Sequence, residues 1–437
     1  MVDVLDLSAR IIDSGLDFDP VSRMTQEVSE VADRVALVES FSHSVALRTG
    51  AGLVVFDASG QWSGQAVVHA LRRWSADPVD TIVYTHGHLD HVGGSGAFVD
   101  DAARNGARRP RFVAQDNVRA RFARYRLTDG WNLIINYRQF AGAVGERLAD
   151  ALRGRHFLPD DVAEPEVTFA ERLRLDVGGQ VIELHHARGE TDDHLWAWLP
   201  AQQAICCGDL LIWSFPNAGN PQKVQRYPLE WAAALRAMSS RGPELLIPAH
   251  GLPIAGQARI ARVLDEVAAA LEDLVHAVLD MMNAGSTLDE IIHSVTVPED
   301  ILARPYLRPN YDEPEFVIRN IWRLYGGWWD GNPARLKPPP DALLAAEVAA
   351  LAGGADALAR RARAVGDLRL ACQLAEWAVQ ADPASAEASA VRAQLYRERK
   401  AGESSLMAKA IFGEAATQSD QRHSTLTGSA PAPPAES

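Results

Sequence analysis

The stretch Thr85-His86-Gly87-His88-Leu89-Asp90-His91-Val92-Gly93-Gly94 follows a short apolar run at 81–84. Three histidines and one aspartate lie within six of its residues, and two glycines follow. His86 and His88 are two residues apart where a predicted strand ends, so both side chains can point to one side and bind one ion. The turn after them can direct Asp90 and His91 at a second ion. The pattern therefore predicts a metal site at the end of a strand.

The ligand types indicate which metal this site would prefer. Imidazole and carboxylate groups without a thiolate suit zinc first, with manganese or iron as alternatives. Loops at the ends of strands are also the positions where functional groups gather. A chance cluster of surface histidines is the competing explanation, but it does not account for a cluster set between an apolar strand and Gly93-Gly94.

Short apolar runs around this stretch predict an α/β fold. Runs typical of buried strands lie at 35–38, 45–47, 53–56, 111–114, 167–169, 181–185, 195–199, 204–207 and 245–248. After Gly256 the pattern changes, because apolar residues from Ile260 to Met282 recur every three or four positions, as in an amphipathic helix. Further helices are predicted at 287–294, 314–325 and 341–400. Residues 366–401 match one tetratricopeptide-type helix pair or, equally well, an ordinary helical hairpin.

These changes in pattern define the expected domains. We expect a catalytic domain at 1–256 and a helical domain at 257–405. Residues 406–437 are expected to form a disordered tail. Leu426 is the only large apolar residue from 415 to 437, and the burial of so little apolar surface does not offset the entropy lost on ordering.

Composition excludes some classes of partner and location. The 437 residues carry a formal net charge of -14, which argues against nucleic acid as the main partner. Three cysteines make no disulfide framework and indicate a reducing compartment. The first ten residues lack the basic start of a signal peptide, and no run of 18 uncharged apolar residues predicts a membrane span. We therefore expect a cytoplasmic protein.

The metal motif resembles that of the metallo-β-lactamase superfamily, Thr-His-x-His-x-Asp-His-x-x-Gly. Later segments resemble further landmarks of that superfamily, in order: His186-Ala187-Arg188-Gly189-Glu190-Thr191, Cys207-Gly208-Asp209 and Pro248-Ala249-His250-Gly251. The resemblance implies an αββα sandwich and a site for two zinc ions. It assigns one ion to His86, His88 and Glu190 and the other to Asp90, His91 and His250, with Asp209 bridging them. Asp90 and Asp209 would be the catalytic carboxylates.

Two features resemble the alkyl sulfatase branch of the superfamily. Glu190 stands where most members have a ligand histidine, and residues 320–334 resemble the branch's aromatic segment Tyr-x-Gly-Trp-Phe-Asp-Gly-x-Pro. In that branch the segment belongs to a helical dimerisation domain, so the resemblance implies a homodimer formed through the helical domain at 257–405. The chain departs from the branch pattern at Asp209, where a glutamate is usual.

Other polar residues near these motifs are weaker candidates. His186 and His194 are expected to support the ligands, and Cys207 to be a small buried hydrophobe. Trp213 and Phe215 either line a channel for an alkyl chain or pack in the core. Candidate substrate-binding residues lie on two polar segments, and they are Asn132, Arg138, Asn217, Asn220, Lys223 and Arg226.

These observations together predict a metal-dependent hydrolase. The first hypothesis is cleavage of a small alkyl sulfate ester, or a related anionic ester, by a metal-bound hydroxide. The second is hydrolysis of an uncharged ester, lactone, thioester or amide. A third, from another class, is a binding or scaffold protein with a silent site. The residues leave open the substrate's chain length and stereochemistry, and whether the C–O or the S–O bond breaks.

Overall fold

The computed structural model describes residues 3–16, 20–144 and 155–429. The chain divides into two compact units. The first comprises residues 1–132 and 154–328, and the second comprises 133–153 and 329–437. The candidate metal ligands all belong to the first unit.

One sheet of the first unit has seven strands that follow one another in chain order. They are β1 (Val28–Ala32), β2 (Val35–Val38), β3 (Ser44–Thr49), β4 (Gly52–Phe56), β5 (Val79–Val83), β6 (Arg111–Gln115) and β7 (Val167–Phe169). β1 to β4 are antiparallel to their neighbours, whereas β4, β5, β6 and β7 run parallel. The carboxyl ends of the parallel strands therefore meet at one edge of the sheet.

A second sheet has six strands in the order β13-β12-β11-β10-β9-β8. They are β8 (Arg172–Val177), β9 (Gln180–His186), β10 (Leu195–Leu199), β11 (Ala204–Gly208), β12 (Leu245–Pro248) and β13 (Ile254–Ala255). β11 and β12 are parallel, and the other pairs are antiparallel. The nine apolar runs of the sequence are all confirmed as strands; β1, β8 and β13, which carry charges or are very short, were not expected.

Helices lie between and after these strands. They are α1 (Val4–Ser14), α2 (Gly64–Trp74), α3 (Leu89–Val92), α4 (Ser95–Arg104), α5 (Asn117–Leu127), α6 (Asp129–Val144), α7 (Pro228–Ser239), α8 (Gln257–Asn283), α9 (Leu288–Ser294), α10 (Glu299–Leu302) and α11 (Pro314–Gly326).

The buried side chains arrange the first unit in four layers. Along β4, Val54 and Phe56 join a core between the two sheets, whereas Leu53 and Val55 face the other way and pack with α2, α4 and α5. This alternation follows from the two-residue period of a strand. The outer face of the second sheet is covered by α7 and α8. The predicted αββα sandwich is confirmed.

The helices from residue 257 to 328 group with the sandwich in the first unit, whereas a separate helical domain was expected to begin at 257. Apolar side chains on one face of α8, such as Ile260 and Leu271, are fully buried in the same core as the second sheet. Helices up to α11 continue that core through Val317 and Ile321. The amphipathic pattern of α8 was read correctly as a helix, but its apolar face covers the sandwich instead of starting a separate domain.

The second unit is helical, as expected for the carboxyl-terminal part. Its elements are the end of α6 and α12 (Pro333–Leu336), α13 (Asp341–Ala352), α14 (Ala355–Arg363), α15 (Leu368–Ala381), α16 (Ala386–Gly402) and α17 (Leu406–Thr427). Alanines dominate its buried core, from Ala349 to Leu395. Over the described residues no single helix has the length and apolarity to cross a membrane; α13 and α14 together meet that test, but they are bent by 78°.

Where a disordered tail was expected from residue 406, the structure has a helix, α17, over Leu406–Thr427; residues 430–437 lie outside the described part. Ser405 caps the helix by accepting a hydrogen bond from the backbone N–H of Ala408. Small side chains, including Ala416 and Ser419, are buried against α16. Composition did not predict this helix because its buried residues are small. Small side chains stabilise the helix by allowing it to pack closely against α16, and large apolar side chains are not needed.

Candidate metal centre

The seven candidate ligands lie at one end of the sandwich because each follows the end of a strand. His86 and His88 come just after β5, and Asp90 and His91 lie on the short helix α3. The loop from β9 to β10 carries Glu190, and Asp209 and His250 follow the parallel strands β11 and β12. The N–H of Leu195 donates to the carbonyl of Thr85 at 2.8 Å, so the two sheets are joined beside the site.

One group of ligands consists of His86, His88, Glu190 and Asp209. Each offers one atom, and these atoms all lie within 4.8 Å of one another. His88 Nδ1 is 3.7 Å from Glu190 Oε1, and His86 Nε2 is 3.8 Å from Asp209 Oδ2. This is the first ligand set that the resemblance implied.

A second group consists of Asp90, His91 and His250, again within 4.8 Å. Asp90 Oδ2 lies 3.1 Å from His250 Nε2 and 3.4 Å from His91 Nε2. Asp209 reaches this group with its other oxygen, since Oδ1 is 3.3 Å from His91 Nε2 and 3.6 Å from His250 Nε2. The Asp209 carboxylate therefore lies between the two groups with one oxygen toward each.

The polar atoms of the cluster fit metal ions in chemistry as well as in position. His86 Nε2, His91 Nε2 and Asp209 Oδ1 are buried and have no hydrogen-bond partner in the described structure. Buried polar atoms are nearly always satisfied in folded proteins. Imidazole nitrogens and carboxylate oxygens that converge without such partners are the donor set of zinc and related ions.

Asp57 fixes which ring nitrogens face the cluster. Its Oδ2 accepts a hydrogen bond from His91 Nδ1 at 2.8 Å and another from Thr85 Oγ1 at 2.8 Å. Because that threonine hydroxyl donates to Asp57, it accepts from His86 Nδ1, 3.1 Å away. Both histidines thus keep a proton on Nδ1, so Nε2 is the nitrogen that faces the cluster and that can bind a metal when it is deprotonated.

The pKa values of the buried histidines shift in opposite directions. Burial lowers the pKa of His86 well below its usual value, and the neighbouring histidines lower it further. Burial acts the same way on His91, but the carboxylates of Asp209, Asp90 and Asp57 outweigh it and hold the pKa of His91 well above its usual value. The negative charge of the cluster therefore concentrates around His91 and His250, where a cation would be most stabilised.

A buried ion pair supports the loop that carries His86 and His88. Arg121, on α5, pairs with Asp192 and Asp193. Asp193 Oδ2 also accepts the N–H of Gly87 at 3.1 Å. A side chain at Gly87 would lie 2.8 Å from the Arg121 side chain, so the glycine is required by this close approach. Sequence reasoning missed all three charged residues, since none of them belongs to a local pattern.

The loop after β11 surrounds Glu190. Asn217 Nδ2 donates to Glu190 Oε1, and Arg226 Nη1 donates to the Glu190 carbonyl. The Arg226 guanidinium is also 3.3 Å from the carboxylate and is buried. Burial nevertheless raises the pKa of Glu190 to about 8, because the Arg226 charge opposes it only in part.

The other two candidates of that loop have different positions. Asn220 is buried, and its backbone N–H donates to Asp312 Oδ2, which anchors the loop. Lys223 is half-buried; burial and the charge of Arg226 lower its pKa to about 7, against the attraction of Glu190 and Asp90. Of the loop's basic residues, Lys223 is therefore the one that retains solvent access near the cluster.

The supporting histidines are both close to ligand loops. His194 Nε2 accepts the N–H of Asp209 at 3.1 Å, and its ring stacks on His86 at 4.6 Å. Burial lowers the pKa of His194 to about 4, so it remains neutral. His186 instead bonds the Asp192 carbonyl, with Nε2 3.0 Å away, and so holds the loop between β9 and β10. The Cys207 thiol is buried and points toward the Ile247 carbonyl at 3.6 Å.

The remaining sequence candidates bond elsewhere. Asn132 Nδ2, in the first turn of α6, donates to the carbonyl of Thr128 just before that helix, and Arg138 Nε donates to Glu414 at 3.2 Å. Trp213 and Phe215 are fully buried, so they pack in the core rather than line an open channel.

Two aromatic residues near the cluster were not singled out by sequence reasoning. Phe41, between β2 and β3, is 44% exposed and meets the ring of His250 edge-on at 5.6 Å. Tyr311, before α11, is close enough to Glu190 and Asp90 that their charges, after burial, raise its pKa well above the usual value. Both segments reach the site only through the tertiary fold.

Comparison with known protein families agrees with this geometry. The model of the metallo-β-lactamase superfamily matches residues 37–250, and the model described as alkyl sulfatase dimerisation matches residues 287–422. The chain therefore combines a metallo-β-lactamase domain with an alkyl sulfatase dimerisation domain.

The most similar curated relatives include a linear primary-alkylsulfatase from a Pseudomonas strain, 27% identical over 361 residues, which cover 79% of this chain and 68% of the relative. An (R)-specific secondary-alkylsulfatase of Pseudomonas is 27% identical over 335 residues, which cover 72% of this chain and 50% of the relative. Among solved structures, the stereoselective inverting sec-alkylsulfatase Pisa1 from Pseudomonas aligns with a TM-score of 0.79 at 23% identity, covering 91% of this chain and 65% of that one. The chain thus spans between half and about two thirds of the length of these proteins.

Proposed function

We propose that the protein hydrolyses alkyl sulfate esters at a centre of two zinc ions. The observation that carries the proposal is the Asp209 carboxylate, which lies between two convergent ligand groups with one oxygen toward each. The similarity to proteins named alkylsulfatases supports the substrate class. The ligands of the first ion would be His86, His88 and Glu190, and those of the second Asp90, His91 and His250.

Two bound zinc ions would supply Lewis-acid chemistry, lowering the pKa of a water molecule and offsetting the charge that develops on sulfate. The chain's own contribution is to hold the ligands. Asp57 sets the tautomers of His86 and His91, and Arg121 fixes the loop between them through Asp193. His194 holds the backbone of Asp209. These contacts keep Asp90 and Asp209, the proposed catalytic carboxylates, in place.

We assign recognition of the sulfate and of the hydrocarbon chain to different residues. Arg226 is 2% exposed and paired with Glu190, which favours a positioning role for it and for Asn217. Lys223 is half-buried near the cluster, where it interacts with the charges of Glu190 and Asp90, and is the proposed partner of the sulfate anion. The exposed ring of Phe41 beside His250 offers an apolar surface for an alkyl chain.

Assembly and location complete the proposal. The match to the dimerisation model at 287–422 supports a homodimer. The three cysteines, all free and buried, fit a reducing compartment, and we place the protein in the cytoplasm on that basis.

The test combines metal analysis with a substrate panel. Protein purified without chelator should contain two zinc ions per chain and release sulfate from dodecyl sulfate. Chelation should abolish the activity, and added zinc should restore it. Hydrolysis of a nitrophenyl carboxylate ester without sulfate release would support the neutral-ester alternative instead. A zinc-loaded protein inactive on every ester would support a silent binding protein. Reaction in oxygen-18 water, with the label located in alcohol or sulfate, identifies the bond that breaks.

A further inference from the structure

His43, in the loop between β2 and β3, is a buried histidine outside the two ligand groups. It is 3% exposed, and both ring nitrogens are hydrogen-bonded. The backbone N–H of Ser40 donates to Nδ1 at 3.1 Å, and Nε2 lies 2.8 Å from the carbonyl of Gly251. The contact with Gly251 joins segments 208 residues apart, which is why no sequence pattern marked this residue.

The two partners determine the protonation state of the ring. A backbone N–H can only donate, so Nδ1 carries a lone pair. A carbonyl can only accept, so Nε2 carries the proton. His43 is therefore a neutral imidazole that accepts at one end and donates at the other. Burial, aided by the nearby His250, lowers the pKa of His43 to about 4, in agreement with a neutral ring.

His43 holds the turn of His250 on both sides. Its own backbone N–H donates to the carbonyl of Ala249 at 2.8 Å, while its ring donates to the carbonyl of Gly251. Gly251 has a φ of 89°, and a side chain at this position would collide with Trp213, with an approach of 2.3 Å. The turn is thus clamped between His43 and Trp213.

We infer that His43 is a positioning residue for His250. The neutral Nε2–H of His43 fixes the turn Ala249-His250-Gly251, which aims His250 Nε2 at Asp90 and Asp209, 3.1 and 3.6 Å away. Its effect on metal binding rests on the proposed function, because His250 is a proposed ligand of the second ion only. Loss of the His43 donor should therefore weaken the second ion selectively.

A matched pair of substitutions separates positioning from packing. Glutamine places an amide N–H₂ where His43 has Nε2 and keeps the donor to Gly251, whereas asparagine keeps only the acceptor for Ser40. His43→Asn should weaken binding of the second zinc ion by about 10- to 100-fold and leave the first unchanged, the range measured for supporting partners of metal ligands. His43→Gln should stay within about threefold of wild type. His185→Asn, which removes another buried histidine, is the control.

Two readouts make the experiment decisive. Zinc titration against a chromophoric competitor gives the two affinities, and hydrogen–deuterium exchange of a peptide around residues 246–254 in metal-free protein reports the turn itself. Faster exchange in His43→Asn but not in His43→Gln supports the positioning role even if wild type binds a single ion, in which case only the dinuclear proposal fails. Equal exchange and equal affinities in all the variants, or equal losses in both His43 variants, overturn the inference.

Discussion

Asp57 orients two of the candidate ligands, although it lies far from the ligand motif in the sequence. One carboxylate receives the backbone N–H of Thr85, the hydroxyl of Thr85 and the Nδ1–H of His91, and through that hydroxyl it also orients His86. A single side chain thus fixes one ligand in each of the two groups.

The substitution Asp57→Asn tests this role. The amide can present an N–H₂ to His91 Nδ1, which would then lose its proton and turn the protonated nitrogen toward the cluster. We expect about 10- to 100-fold weaker zinc binding at both positions. Elemental analysis after dialysis against graded chelator measures the loss. Ser42→Ala, which removes only the hydroxyl 3.1 Å from His91 Nδ1, is the control and should have a smaller effect.

Lys223 is the residue whose replacement should separate anionic from neutral substrates. A charge-assisted hydrogen bond to a sulfate oxygen is worth roughly 1.5–3 kcal/mol, so Lys223→Ala should lower kcat/KM for an alkyl sulfate by about 10- to 100-fold. A neutral nitrophenyl ester should change by less than about threefold. Paired steady-state kinetics on the two substrates measure both effects. Equal losses on both would assign Lys223 to the loop's structure, and recovery in Lys223→Arg would support the charge.

At the scale of elements, the second unit depends on how α16 and α17 pack. Arg392 on α16 pairs with Glu376 and donates to the Ala415 carbonyl and the Ser419 hydroxyl on α17, in a half-buried position. Arg397 also reaches across to α17, but its pair with Asp420 is largely exposed. The two arginines join the same helices in different surroundings.

This difference gives a stability prediction with an internal control. Arg392→Ala should lower the free energy of unfolding by about 1–3 kcal/mol, since it leaves polar groups without partners. Arg397→Ala should cost less than about 1 kcal/mol, as exposed ion pairs do. Thermal and urea unfolding of both variants test the contrast. Similar small effects would mean that α17 contributes little to the stability of the unit.

Strand ends were the part of the site that sequence could locate. His86, Asp209 and His250 each follow an apolar run that is visible in the sequence. Their convergence was implied by the resemblance to the superfamily, because β5 lies in one sheet and β11 and β12 lie in the other. The contacts of Asp57 with His91 and of Arg121 with Asp193 were not, because they join segments 34 and 72 residues apart without a local signature. The helix Leu406–Thr427 was missed for a related reason, since its stability comes from packing between small residues.

At the scale of the whole molecule, α13 presents an apolar surface that a second copy of the chain can cover. Leu343, Leu344 and Leu351 on this helix are 56%, 42% and 90% exposed. Contiguous exposed leucines are typical of association surfaces, and α13 lies within the part matched by the dimerisation model.

We predict that Leu351→Glu shifts the proposed homodimer to a monomer of 47.5 kDa, because a buried carboxylate without a partner would destabilise the interface. Light scattering at micromolar concentration measures the mass. Leu127→Glu changes a leucine of the first unit that is 85% exposed and should leave the dimer intact. A wild-type protein that is already monomeric would refute the assembly proposal.

The candidate ligands come from distant parts of the chain, which determines when the metal site can form during folding. Asp90 and His250 are neighbours in space but 160 residues apart in the chain, and the Thr85–Leu195 bond beside them joins opposite sheets. Contacts between such distant segments form late, since the loop between them must first close. During synthesis, the second ligand group stays incomplete until His250 has left the ribosome. In the proposed zinc centre, metal capture would therefore mark the folding of the first unit, and zinc uptake during refolding should lag behind the formation of either sheet.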